Sequence, residues 1–589
     1  MVSLVPPAHS GPGATSRLQD KIRDFGYSSH GIHNSGSLLR TTDVYSSQEI
    51  SLDGSSVAAH PVFRSDINRK YKELVRQLPS RLYVDILVQT FFSVVNWQYD
   101  LLDEDSFRED LATWGGVSYA DLQEGLERLS LKTLVFPALL FQVLAQALLF
   151  HPPDDEKINS LMTMTDMTFQ DLGAEYSDTG TELLVLLGKK DITIASVQAG
   201  LLRASFLKSA GKVVEAWHTL GATIRDAQDM GLHTGRMVSD QYTNSPEVGK
   251  QIASLVGHKV WVVLHIWDVH MAVVLGRPIV TDLQIDRFAA TIEKEGIRQE
   301  LFSHWQTEVD LPRPFDIIIA GYNVAYRYFK DIHQMENSGT DAQDYSVVQN
   351  IHSKIKKNSE YLPSWCRLEN PDTRFDQLHG CQWLPVAREG LSSLIHLVLL
   401  TLHRPFIFSV ANSRTEALKA GISILRAQER LFEKSEPHQQ KVFNPVYASF
   451  DAIVLIAALC LLFPRENYEL RTQCLEVVES GMRRLGIIGK FNQMASSAHG
   501  VVCSLHHRLK AQHGVPETAE DTSTISSSSK WTTPTSDLDI FNGAPLELFS
   551  DVILPPRPSH DLFFDHVSIR PSYHKPYGEL EFRRRILRF

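Results

Sequence analysis

Lys259-Val260-Trp261-Val262-Val263-Leu264-His265-Ile266-Trp267-Asp268-Val269-His270-Met271-Ala272-Val273-Val274-Leu275, closed by Gly276-Arg277-Pro278, is the stretch on which the fold turns. From Val260 to Leu275 it is apolar almost all round, broken only by His265, Asp268 and His270. A helix without a wet face has to be buried. At about 1.5 Å per residue this segment reaches roughly 24 Å, short of the roughly 30 Å of bilayer hydrocarbon, and a carboxylate sits at its middle. It therefore reads as the central helix of a soluble all-α domain. Pro278 stops it, because proline has no amide hydrogen and disfavours helical geometry at Arg277 before it.

Upstream, Val214, Trp217, Gly221, Ile224 and Gln228 recur at three- and four-residue steps, with Glu215, Arg225, Asp226 and Asp229 largely on the other face. That is an amphipathic helix. Met230-Gly231-Leu232-His233 closes it, since glycine accepts the left-handed cap and the leucine can fold back on the last turn. Thr193–Leu207 reads as a helix antiparallel to it across Lys208-Ser209-Ala210-Gly211. Farther out, Pro79 separates two helical segments, and Asp105 or Ser106 is a cap for a helix at Phe107. Leu131–Phe150 is long enough to span a bilayer but carries Lys132, Pro137, Gln142 and Gln146 without flanking basic clusters, so it reads as a buried helix. Leu391–Leu402 and Tyr447–Phe463 read the same way, as too short or too interrupted to cross a membrane. Gly173–Thr181 and Asn337–Asp344 read as loops. The expected architecture is a large all-α domain of antiparallel helical hairpins around a buried central helix.

The quoted residues resemble the regulatory, middle-homology domain of fungal-specific transcription factors. That family follows a basic residue with a Trp-Trp-x-Leu-x-x-x-Asp run and ends it on Gly-Arg-Pro, similar to Lys259, Trp261, Leu264, Asp268 and Gly276-Arg277-Pro278 here. Ala216-Trp217, Gly221-Ala222, Ala227 and Gly231-Leu232-His233 look like its preceding helix, and Leu402-His403-Arg404-Pro405-Phe406 like its later helix end. Leu78-Pro79-Ser80-Arg81, Phe91-Phe92 and Leu101 to Phe107 are similar to its opening helices. The resemblance spans about Asp66 to Leu509. It implies a nuclear transcriptional regulator controlling metabolic genes, with Trp217, Gly231, Leu232, His233, Trp261, Asp268, Gly276, Arg277, Pro278, Arg404 and Pro405 as family-motif residues of structural or regulatory role. The family usually carries a six-cysteine, two-zinc cluster at its N-terminus, whereas residues 1–60 contain no cysteine. DNA contact is therefore expected to be indirect, through a DNA-binding partner protein, unless an upstream segment supplies the cluster.

Composition agrees with an intracellular regulator. The 589 residues are 43% hydrophobic with a formal net charge of -11, which argues against a broad nucleic-acid-binding surface. The five cysteines, Cys366, Cys381, Cys460, Cys474 and Cys503, are odd in number and scattered, pointing to reduced thiols. Cys460, inside Ala457–Leu462, reads as a small packed hydrophobe.

Three parts are expected: a disordered tail (1–60) rich in Ser, Gly, Pro and His, the helical regulatory domain (61–513), and a Ser/Thr-rich linker with an acidic-hydrophobic tail (514–589). In the last, Leu538, Ile540, Phe541, Leu546, Leu548 and Phe549 alternate with carboxylates. They fit an activation segment that meets the transcription machinery, or a strap packed on the domain. The basic end at Arg583-Arg584-Arg585 is an import-signal pattern that also arises by chance.

Signs of chemistry are few. Gly188-Lys189-Lys190 lacks the first glycine and the hydroxyl of a phosphate loop, and no Gly-x-Ser-x-Gly elbow is present. His258 and His265 would stand two turns apart, about 10 Å, too far to share an ion, and His379, Cys381 and Cys366 fit no zinc spacing. His506-His507 read as surface residues. No catalytic residue, metal site, cofactor or membrane association is expected. A small-molecule effector in an apolar interhelical pocket, or a partner protein, is the expected signal, and Asp268 is expected to be locked by an arginine such as Arg277, Arg404 or Arg203, the alternative being that it faces a solvent-filled cleft. The competing reading is an all-α receptor or protein-interaction scaffold with no part in transcription.

Overall fold

Two helices open the described chain, α1 (Pro61–Val75) and α2 (Arg81–Thr90), parted at Pro79. The computed structural model describes residues 61–513, apart from 153–154, 163–166, 190, 235–246, 284–310, 338–344, 441–442, 467 and 491. The expectations for both tails, including Leu538 to Phe549, and for 338–344 lie outside the described residues. Every regular element among the described residues is helical.

α2 runs through a π-helical turn, Phe91–Val95, and a 3₁₀ turn, Asn96–Gln98. The next helix, α3 (Glu104–Gly115), is capped by Asp103, whose carboxylate accepts from the Ser106 amide at 2.9 Å. The cap falls before the expected Asp105 or Ser106 because Asp103 is the residue left in extended geometry, where a side chain reaches the first free amides.

The first core forms around α4 (Leu131–Phe150), which is buried without a break from Val135 to Phe150. Helices α5 (Phe169–Leu187) and α6 (Ile194–Ser209) pack against it. Gly173–Thr181 is thus helix, not loop. Its glycines serve contact: a Cβ on Gly180 would lie 2.8 Å from Gln142 Nε2 and 2.9 Å from the Ala138 carbonyl, and one on Gly173 would lie 3.2 Å from the Ala145 carbonyl. Two backbones this close admit nothing larger than glycine. Gln142 Nε2 donates to the Ser177 carbonyl at 2.8 Å, and Ser177 Oγ donates back to Gln142 Oε1 at 2.6 Å. Gln142, inside a strongly apolar helix, is therefore satisfied by its neighbour.

α7 (Val213–Asp229) turns back on α6 across Lys208–Lys212, where Gly211 takes φ +83. The central helix, α8 (Glu247–Leu275), begins well before the expected Val260. Its Val260, Trp261, Val263, Leu264, Trp267 and Met271 join the first core, while Val269 joins the second. The second core is built by α9 (Pro314–Gly321), a second π-helical turn (Tyr322–Tyr326), α10 (Arg327–Asn337), α11 (Tyr345–Glu360), α12 (Leu384–His403), α13 (Ala411–Lys434), α14 (Phe443–Leu462), α15 (Arg471–Ile488) and α16 (Gln493–His513). α13 packs between α12 and α14, and α16 closes over α14 and α15. The helix at Leu391–Leu402 is longer than expected. Together with α4 it is long and apolar enough to cross a membrane, yet 89% of the α4 window and 67% of the Leu384–Phe406 window are buried within the body.

Candidate functional site

The quoted stretch builds its own clamp. Gly276 takes φ +61 and the Arg277 amide donates back to the Ala272 carbonyl at 2.9 Å, a glycine-dependent helix end. Pro278 then turns the chain alongside the helix, where Asp268, 2% exposed, receives it. Its Oδ2 accepts from the Val280 amide at 2.9 Å, the Thr281 amide at 2.8 Å and the Thr281 hydroxyl at 2.7 Å. Because that hydroxyl proton points to Asp268, His265 Nδ1, 2.8 Å from Thr281 Oγ1, is the donor in its contact. Burial pushes His265 down to about 4, so it is neutral.

The expected arginine lock is therefore corrected. Arg277 stacks its guanidinium 4.8 Å from the Trp217 ring centre, Arg203 pairs with Asp178 at 2.6 Å, and Arg404 approaches Asp451 at 4.0 Å. Backbone amides displace arginine as the partner because they cost no side-chain ordering. The upstream motif residues join the same assembly. Gly231 takes φ +76, Leu232 is buried, and His233 lies 5.9 Å from Trp261. Pro405 sits within the 3₁₀ turn Arg404–Phe406 that ends α12.

Around Trp267 a second arrangement appears. The Lys208 Nζ lies 4.7 Å above the Trp267 ring, and Tyr99 meets the same ring at 5.2 Å. Lys208 is 4% exposed, and desolvation pushes it down to about 7. His270, on the next turn of α8, is pushed well below its ordinary value by burial and by the charge of Lys208, and its Nε2 is buried with no hydrogen-bond partner. Tyr326 comes near enough to Tyr99 for their charges to interact, and burial pushes Tyr99 up to about 12. The two π-helical segments thus bring in these two tyrosines, one directly and one just beyond its end. Tyr99, His270 and Tyr326 keep some accessible area although desolvation dominates their protonation. Desolvation likewise raises Asp451, while a third of its side chain stays accessible. Beside it on α14, Tyr447 packs against the first core.

Sequence reading missed Lys208, Tyr99, Tyr326 and Thr281. The sequence reads Lys208 as part of a turn, where lysines are ordinarily solvated, whereas it lies in the last turn of α6, and nothing local marks its burial. His506 is also inside, 8% exposed, rather than on the surface. Cys366 and Cys381 are buried, the Cys381 thiol 3.7 Å from the Pro312 carbonyl.

A body all-helical among the described residues, with a motif that fastens a central helix to the segment following it, defines the class as a helical domain. Residues 88–312 match the fungal specific transcription factor domain. The match contains Trp217, Gly231 to His233, Trp261, Asp268 and Gly276 to Pro278; Arg404 and Pro405 lie beyond it. The chain is also 20% identical over 526 residues to Transcription factor xilB of Penicillium rubens, covering 82% of this chain and 73% of that protein. The domain marks the chain as a transcriptional regulator.

Proposed function

We propose that this regulator acts in the nucleus and responds to a small acidic effector with an apolar body, bound between the two cores at Lys208 and His270. The observation that carries the reading is the His270 Nε2, enclosed without a hydrogen-bond partner one turn of α8 beyond Trp267, whose ring has the Lys208 Nζ 4.7 Å above it, so that a carboxylate there would find a hydrogen-bond partner and a nearby cation. Trp267, Tyr99 and Tyr326 supply the apolar walls. Because α8 contributes to both cores, an occupant at this boundary favours one packing of the cores over another and so biases what the rest of the chain presents. The body works by binding and relay, with no catalytic step, and operates on DNA through a partner protein or a zinc cluster outside residues 1–60. Tail residues Leu538 to Phe549 contact the transcription machinery.

A reporter tests this reading. The full chain, tethered through a foreign DNA-binding domain, is expected to change transcription and to concentrate in the nucleus, and Lys208→Met to remove the response to aromatic carboxylates in the medium. A tethered chain that leaves the reporter at its baseline and stays outside the nucleus supports the receptor or scaffold reading instead.

A further inference from the structure

Two of the five cysteines meet across a helix–helix contact. Cys460 lies in the last turn of α14 and Cys474 in the first turn of α15, and their thiols are hydrogen-bonded to each other. Cys474 is 2% exposed. Cys460 is half-buried and lines an opening of about 340 Å³, part of it open solvent, with Arg414, Phe463, Glu466 and Arg471. A small oxidant arriving from solvent therefore meets Cys460 first. The expectation that Cys460 merely fills space does not cover this arrangement.

We propose that Cys460 and Cys474 form a peroxide-oxidisable pair in which Cys460 attacks and Cys474 resolves. The Cys474 S–H and the Arg471 charge hold Cys460 below the usual thiol range, whereas donating that hydrogen bond and being buried push Cys474 up. The thiolate is the nucleophile and the buried thiol the reserve. The Cys460 thiolate attacks one oxygen of hydrogen peroxide, the O–O bond breaks, and hydroxide leaves, giving a sulfenic acid. The Cys474 sulfur then attacks the Cys460 sulfur, the S–O bond breaks, and the thiol proton leaves with the hydroxyl as water. In sum, two thiols and one hydrogen peroxide give one disulfide and two waters. The bond closes the 461–473 connection and ties the end of α14 to the start of α15.

The other cysteines serve as internal controls. Cys366 is buried and pushed up to about 12, and Cys381 is buried. Cys503 is half-buried and faces His499 at 3.5 Å.

The test treats the full chain with hydrogen peroxide, alkylates the remaining thiols and maps the peptides. A Cys460–Cys474 cross-link is expected, with the intact mass lower by two hydrogens and Cys366 and Cys381 still alkylated. In Cys474→Ser the cross-link is replaced by a dimedone adduct on Cys460, and in Cys460→Ser both disappear. The wild-type map decides the matter even if a variant misfolds. Both thiols left free while Cys503 is oxidised overturns the proposal, and a Cys474 adduct in Cys460→Ser overturns the order of attack.

Discussion

Between α4 and α5, a buried glutamine and a buried serine exchange two hydrogen bonds while two glycines let the helices touch. Around Trp267, a buried lysine lies over the ring and the nearby His270 keeps an Nε2 with no hydrogen-bond partner. The first contact is packed for stability, since each polar atom it hides meets another. The second leaves the His270 Nε2 without a partner, and such groups persist where a protein has another use for them. Both regions lie against the first core, so the difference is one of task and not of depth.

Crowding α4 against α5 tests the first half of that comparison. Gly180→Val would drive a branched side chain into Gln142 and the Ala138 carbonyl and is expected to lower unfolding free energy by more than about 3 kcal/mol in urea titration. Next in size is the Asp268 clamp. Asp268→Ala leaves the Val280 and Thr281 amides without their acceptor and is expected to cost about 2–3 kcal/mol, while Asp268→Asn, which keeps an acceptor oxygen, costs about 1 kcal/mol. An Asn variant as stable as wild type would show that the carboxylate charge adds nothing.

The boundary gives a signature in pH. Folded Lys208 titrates near about 7, below the roughly 10.4 of a free lysine, so between the two the unfolded chain binds the extra proton. Stability contributed by this group therefore rises with pH from 7 to 9, by up to about 1.4 kcal/mol per unit, and below 7 its unfavourable contribution is constant. Lys208→Met is expected to flatten that slope and to be more stable than wild type at pH 6. An unchanged slope would mean that the lysine is solvated. The smallest effect is Ser177→Ala, about 1 kcal/mol, because it removes one of the two bonds to Gln142 and leaves the Ser177 carbonyl in place.

Much of the helical order was legible. Leu131–Phe150 and the Thr193 start of the following hairpin were read with their bounds, because apolar runs and caps are local signals. Gly173–Thr181 was misread for an equally physical reason. Glycine and serine look alike whether they loosen a loop or let two helices touch, and only the presence of α4 tells which. Asp268 was singled out correctly as a buried carboxylate, yet its partners came from twelve and thirteen residues downstream on its own chain and not from an arginine.

The sequence alone determined that the body is helical, that α8 is buried, and that Gly276 and Pro278 end it, since periodicity, burial and backbone permission are written residue by residue. Only the tertiary structure decided that Asp268 is satisfied by amides, that Lys208 is buried over the Trp267 ring, and that Cys460 finds Cys474. Partnership between side chains distant in the chain depends on which helices pack together, and no local pattern encodes that choice.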